Sequence, residues 1–83
     1  MAKSTLQEKT EVTGTLAGYG VTERVFAETT VRDRMVLAAE DVSNAGGDLD
    51  DFLYDDEAII DLVGLANYDS AETMDLADEI LGE

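Results

Sequence analysis

The sequence predicts a small α+β domain in which an N-terminal β-hairpin is followed by two to three short helices. Early in the chain, β-branched residues alternate with others and flank a Gly-containing turn. From residue 31 onward, apolar residues recur at helical spacing. The length of 83 residues allows only one modest core. We therefore expect one domain over residues 10–83, preceded by a flexible polar tail over residues 1–9.

The hairpin is predicted from two extended segments and the turn between them. Residues 10–17 carry β-branched side chains in rough alternation, and residues 21–28 again look extended. Gly18-Tyr19-Gly20 separates the two segments with residues typical of a turn. Because an isolated hairpin is marginally stable in water, it has to pack on the helices or on a second copy of the chain. The hairpin is therefore a candidate surface for homo-oligomer formation.

The first helix is predicted to begin at Thr30, where Asp33 follows three residues later in a pattern resembling a capping box. The segment Ser43–Gly47 ends this helix and supplies a flexible link. Five apolar residues fall on one face at helical spacing: Val31, Met35, Ala38, Ala39 and Val42.

Two further helices are predicted in the C-terminal half. The second lies within residues 49–66, although Asp55-Asp56-Glu57 can instead cap a shorter helix that starts near residue 57. Asp69 or Ser70 caps the third helix. The apolar face of the third helix consists of Met74, Ala77, Ile80 and Leu81.

The acidic residues are concentrated in one part of the chain. Asp and Glu number 20 against 5 Lys and Arg, which gives a formal net charge of −15. Residues 1–34 contain all five basic residues and five acidic ones, so the whole net charge lies in residues 35–83. Such a charge argues against direct binding to nucleic acid or to an anionic membrane. Three interpretations stay open: adaptation to salt or solubility, mimicry of a nucleic acid, and service as a soluble partner for a basic segment.

The composition excludes several kinds of chemistry. The chain contains no Cys and no His, so thiolate nucleophiles, imidazole bases and the commonest metal ligands are missing. An EF-hand loop beginning at Asp48 fails, because Phe52 and Leu53 occupy positions that need an oxygen ligand and a Gly. We therefore expect neither an enzyme nor a bound cofactor or metal. The chain has no run of 18 apolar residues and no apolar stretch after Lys3, so we expect an intracellular location without a membrane span.

Three stretches resemble the small tail assembly chaperones of tailed phages. Glu28–Met35, preceded by two extended segments, is similar to the strand-then-helix opening of that family. Asp56–Leu65 resembles its acidic apolar helix, and Met74–Ile80 resembles its closing segment. The likeness runs over residues 12–81. It departs from the family in lacking a Pro before Val31 and in its acidity, which an origin in a haloarchaeal tailed virus would explain.

The resemblance implies a non-enzymatic viral assembly protein, found in the host cytoplasm or in the virion. Its partner would be the tape-measure protein or another virion protein, bound through an apolar groove. The candidate partner-binding residues are Val31, Met35, Phe52, Ile59, Ile60, Val63, Met74 and Leu81. Two alternatives remain: an acidic DNA mimic that inhibits a nucleic-acid-binding enzyme, and a small capsid, neck or tail subunit of a halophilic virus.

Overall fold

The computed structural model describes residues 11–82, and the backbone in that range forms five α-helices and two short 3-10 turns. The 3-10 turns are Glu23–Ala27 and Leu65–Asn67. The helices are α1 (Gly14–Tyr19), α2 (Val31–Asn44), α3 (Leu49–Leu53), α4 (Asp56–Val63) and α5 (Ser70–Leu81). No strand occurs between residues 11 and 82, so the predicted α+β fold with an N-terminal hairpin is wrong. The predicted tail over residues 1–9 lies outside the described residues.

The first predicted strand is instead the short helix α1. The hydroxyl of Thr13 accepts a hydrogen bond from the Leu16 backbone N–H at 3.3 Å, which caps the N-terminus of this helix. Leu16 is fully buried, and α1 packs on α4. Gly20 ends the helix in the left-handed conformation. Burial of Leu16 and the Thr13 cap thus outweigh the β propensity of this segment.

The second predicted strand is the 3-10 turn Glu23–Ala27, which packs on α2. Val21 before this turn and Val25 and Phe26 within it are all buried. An extended chain would point Val25 and Phe26 to opposite faces, and it would expose one of them. Because the described residues contain no hairpin, the predicted homo-oligomer through a hairpin loses its basis.

Helix α2 is the centre of the domain. It contacts the first 3-10 turn, α3, α4 and α5. Its start at Thr30 is confirmed, because the Thr30 hydroxyl accepts a hydrogen bond from the Asp33 N–H at 3.1 Å. The fully buried core residues around it, drawn from all these elements, include Val25, Met35, Ala38, Val42, Phe52, Leu62 and Ala77.

Residues 49–66 contain two separate helices, α3 and α4, and not the single long helix that the sequence first suggests. The alternative is confirmed, because Asp55 accepts from the Ala58 N–H at 3.2 Å and begins α4 as a fresh helix. Asp69 caps α5 by accepting from the N–H groups of Ala71 and Glu72. Negative side chains at helix N-termini also interact favourably with the helix dipole.

The end of α1 lies very close to the end of α2. Gly20 has φ +99°, and a Cβ atom at this position would stand 2.4 Å from the Cβ of Ala45. Glycine is therefore required by both conformation and space. The turn predicted at Gly18–Gly20 is thus a helix end that joins two parts of the fold.

Within residues 11–82, no helix is long and apolar enough to cross a bilayer.

Candidate functional site

Tyrosine hydroxyls donate hydrogen bonds to aspartate carboxylates in the acidic half of the domain. Tyr54 Oη donates to Asp78 Oδ1 at 2.5 Å, and Tyr68 Oη donates to Asp56 Oδ1 at 2.9 Å. The third tyrosine of the chain, Tyr19, also donates to an aspartate. Residues 35–83 contain no basic side chain. The tyrosine hydroxyls are neutral donors, and they form hydrogen bonds with aspartate carboxylates of this acidic half.

The most strongly shifted pKa belongs to the Tyr19–Asp55 pair. Tyr19 Oη lies 2.6 Å from Asp55 Oδ2 and donates a hydrogen bond to it. This bond, together with burial and the nearby carboxylates, raises the pKa of Tyr19 to about 12. The same bond is the main reason that the pKa of Asp55 lies below its ordinary value. The pair connects α1 with the start of α4 and thereby stabilises the packing of these two helices.

Asp41 joins α2 to the segment before it. Burial opposes its ionised form, but its pKa still lies below the ordinary value because three hydrogen bonds favour the carboxylate. The backbone N–H and the hydroxyl of Thr22 donate at 2.9 and 2.8 Å, and Arg24 Nε donates at 2.8 Å. Arg24 also forms an ion pair with the exposed Glu40. This buried carboxylate therefore fixes the first 3-10 turn on α2.

Arg34 is a buried cation that is bound by backbone carbonyl groups. Its guanidinium donates to the carbonyl oxygen atoms of Glu28 and Leu62 at 3.0 and 3.1 Å, and it lies 5.3 Å from the ring centroid of Phe26. Burial lowers the pKa of Arg34 from its ordinary value. Arginine nevertheless stays protonated at neutral pH. The side chain thereby connects α2, the end of α4 and the residues that precede α2.

Four of the groups with shifted pKa values connect separate parts of the fold. Each of these side chains forms hydrogen bonds that join two parts of the chain. The four are Tyr19, Asp41, Asp55 and Arg34. Among residues 11–82, no three acidic side chains are grouped in a way that could hold a metal ion. One feature of the described residues that can receive a ligand is an open apolar groove.

The groove lies where α2, the start of α3 and the end of α5 meet, and we call it the α2–α5 groove. It has a volume of about 280 Å³. Val36 is exposed, while Leu49 and Ile80 are half-buried. The residues that line the groove are Val36, Ala39, Glu40, Ser43, Asn44, Leu49 and Ile80.

The candidate partner-binding residues are divided between the core and the surface. Val31, Ile60 and Leu81 are half-buried, and Met74 is exposed at 56%. The other four candidates, Met35, Phe52, Ile59 and Val63, lie in the core with at most 1% exposure. The folded domain therefore keeps these four away from a partner, and the eight residues do not form a single surface.

The residues of the α2–α5 groove were missed by sequence reasoning. Val36 could have indicated an exposed apolar surface, because it is an apolar residue at the border of the apolar face of α2 and not at its centre. Leu49 and Ile80 gave no comparable signal, since both fit the apolar faces expected of their own helices. Only the packing of α5 beside α2 brings the three together.

Comparison with family models, with curated proteins and with solved structures gives no match to this chain.

Proposed function

We propose that the chain is a non-enzymatic protein-binding factor that acts in viral assembly, most like a tail assembly chaperone for a tape-measure protein. The observation that carries this proposal is an open apolar groove on a domain whose C-terminal half is uniformly acidic. Apolar surface provides affinity for a partner, and unpaired negative charge keeps the complex in solution.

The internal use of the basic residues supports this proposal. In the part of the chain that the structure describes, Arg24 pairs with Glu40 and Asp41, Arg32 pairs with Glu79, and Arg34 is buried. The arginines in this range are therefore engaged within the domain, while most of its carboxylates lie at the surface without a basic neighbour. A surface of this kind attracts a cationic partner.

The helical part of the family resemblance also supports the proposal. The stretch Glu28–Met35 leads into α2, Asp56–Leu65 contains α4, and Met74–Ile80 lies within α5. The strands expected before α2 are replaced by α1 and a 3-10 turn, so the N-terminal part of the resemblance lends no support.

A solubility assay tests the proposed chaperone activity. The partner to use is the product of a tape-measure gene found next to the gene of this chain. We expect that co-expression keeps long helical fragments of that product in solution, and that the two proteins stay together in about 1 M salt, where charge attraction is screened. The matched control is co-expression with a small acidic helical protein of similar net charge.

Three results would overturn the proposal. The first is a fragment that precipitates equally with and without the chain. The second is a nuclease as the sole protein recovered with the chain from its host and displaced by duplex DNA, which identifies a DNA mimic. The third is a fixed copy number in purified virions combined with no effect on tape-measure solubility, which identifies a virion subunit.

A further inference from the structure

We propose that the α2–α5 groove binds a cationic amphipathic helix of the partner, with one aliphatic side chain of that helix seated between Val36, Leu49 and Ile80. This inference rests on the proposed protein-binding function and names its surface and the chemistry of its ligand.

The size of the groove favours a side-chain anchor. At about 280 Å³, the groove has room for an aliphatic side chain of a partner helix. Its aliphatic lining includes Val36, Leu49 and Ile80, and its polar lining consists of Glu40, Ser43 and Asn44. A partner helix that lies across such a groove can insert an aliphatic residue and direct its polar face toward the polar lining.

The charges around the groove select a cationic ligand. Glu40 lines the groove, Asp48 and Asp50 adjoin Leu49 in sequence, and Glu79 adjoins Ile80. Glu40 and Glu79 are already paired with Arg24 and Arg32, so among the described residues the carboxylates beside the groove that form no ion pair are Asp48 and Asp50. Lysine or arginine residues that flank the inserted side chain would therefore find acceptors where α3 begins, beside Leu49.

The same charges disfavour other occupants. A second copy of this chain would bring another net charge of −15 to the contact. Nucleic acid and anionic lipid headgroups would be repelled for the same reason. Of these possible ligands, a cationic amphipathic helix matches both the apolar lining of the groove and the negative charge of the domain.

The binding test uses a synthetic helical peptide of Leu and Lys with one apolar face, labelled for fluorescence anisotropy. A peptide of equal charge in which every Leu is replaced by Ser separates groove binding from simple charge attraction. We expect the Leu-containing peptide to bind at least about tenfold more tightly, which is the effect of burying roughly two methylene groups. Amide chemical shifts should change most at Val36, Glu40 and Ile80.

Variants of the chain place the binding at the groove. Val36→Gln is expected to weaken binding of the Leu-containing peptide at least about threefold. Leu65→Gln is the matched control, because Leu65 is also an exposed apolar residue but does not line the groove, and it should leave the affinity unchanged. Circular dichroism and thermal melting verify that both variants are folded.

Three outcomes would overturn the groove assignment. They are equal binding of the two peptides, equal affinity in Val36→Gln and the parent chain, and a concentration-dependent dimer that Val36→Gln abolishes. If the tape-measure assay succeeds while any of these occurs, the protein-binding function stands and its surface lies elsewhere. If the peptide binds in the groove while the tape-measure assay fails, the groove assignment stands and the proposed partner is wrong.

Discussion

Tyr19 donates its hydroxyl hydrogen to Asp55, which lies 36 positions further along the chain, and the same carboxylate caps α4. Asp55 therefore holds two elements at once through its two oxygen atoms. Oδ2 accepts the phenol at 2.6 Å, while Oδ1 accepts the Ala58 N–H at 3.2 Å. Together with Asp61 of α4, which accepts a hydrogen bond from the Thr13 hydroxyl at 2.8 Å, Asp55 orients α1 on α4.

The Tyr19–Asp55 bond predicts a loss of stability at alkaline pH. The pKa of Tyr19 rises from 10.0 to about 12 in the folded protein, so folding favours the protonated phenol. Its contribution to the free energy of unfolding is complete below pH 10.0 and is lost as the pH rises toward about 12. Urea unfolding across this range should show that decline in the parent chain and a smaller one in Tyr19→Phe. Equal pH dependence in both proteins would contradict the assignment.

Removal of the Arg34 guanidinium is expected to destabilise the domain by about 3 kcal/mol, because buried carbonyl groups lose their donors. Arg34→Met tests this in chemical denaturation, and Arg34→Lys should recover only part of the loss, because an ammonium lacks the planar fork. The control is Arg32→Gln, which removes an exposed ion pair with Glu79 and should change stability by about 0.5 kcal/mol or less. Similar losses in Arg34→Met and Arg32→Gln would show that the carbonyl contacts contribute little.

The contact between the ends of α1 and α2 predicts opposite effects at two glycines. Gly20→Ala should destabilise the domain by more than about 1 kcal/mol, because the new Cβ meets Ala45 and the residue has a positive φ. Gly18→Ala lies within α1 and has open space around it, so it should stabilise by about 0.5 to 1 kcal/mol. Thermal melting of the two variants beside the parent chain measures both effects, and the same sign for both would be evidence against this close approach.

The domain should become more stable as salt is added. Its net charge of −15 is repulsive, and the Debye length shortens to about 3 Å at 1 M salt. Salt also weakens the exposed Arg32–Glu79 pair, but repulsion among the many acidic residues is the larger effect. The melting temperature should therefore rise from dilute buffer to about 2 M NaCl, and a flat or falling curve would refute the expectation.

The helix starts could be predicted from sequence because capping is a local interaction. Thr30 reaches Asp33, Asp55 reaches Ala58 and Asp69 reaches Glu72, and each pair is separated by three residues. Local patterns of this kind are visible without any knowledge of tertiary structure.

The N-terminal segment and the groove could not be predicted in the same way. The fate of residues 11–28 depends on tertiary contacts, since Leu16 is buried where α1 meets α4 and Thr22 binds Asp41 on α2. Those contacts overrode a local preference for extended structure. The α2–α5 groove likewise combines side chains from three helices, and no periodicity within one helix reveals it.

The distribution of the tyrosines gives the protein an internal optical probe. The chain has three Tyr and no Trp, so its intrinsic near-ultraviolet absorption and emission come mainly from three phenols. Each phenol donates to a different aspartate, namely Asp55, Asp78 or Asp56, so each senses a different junction of the fold. Single Tyr→Phe replacements would assign the signals, and unfolding could then be followed junction by junction without an added dye.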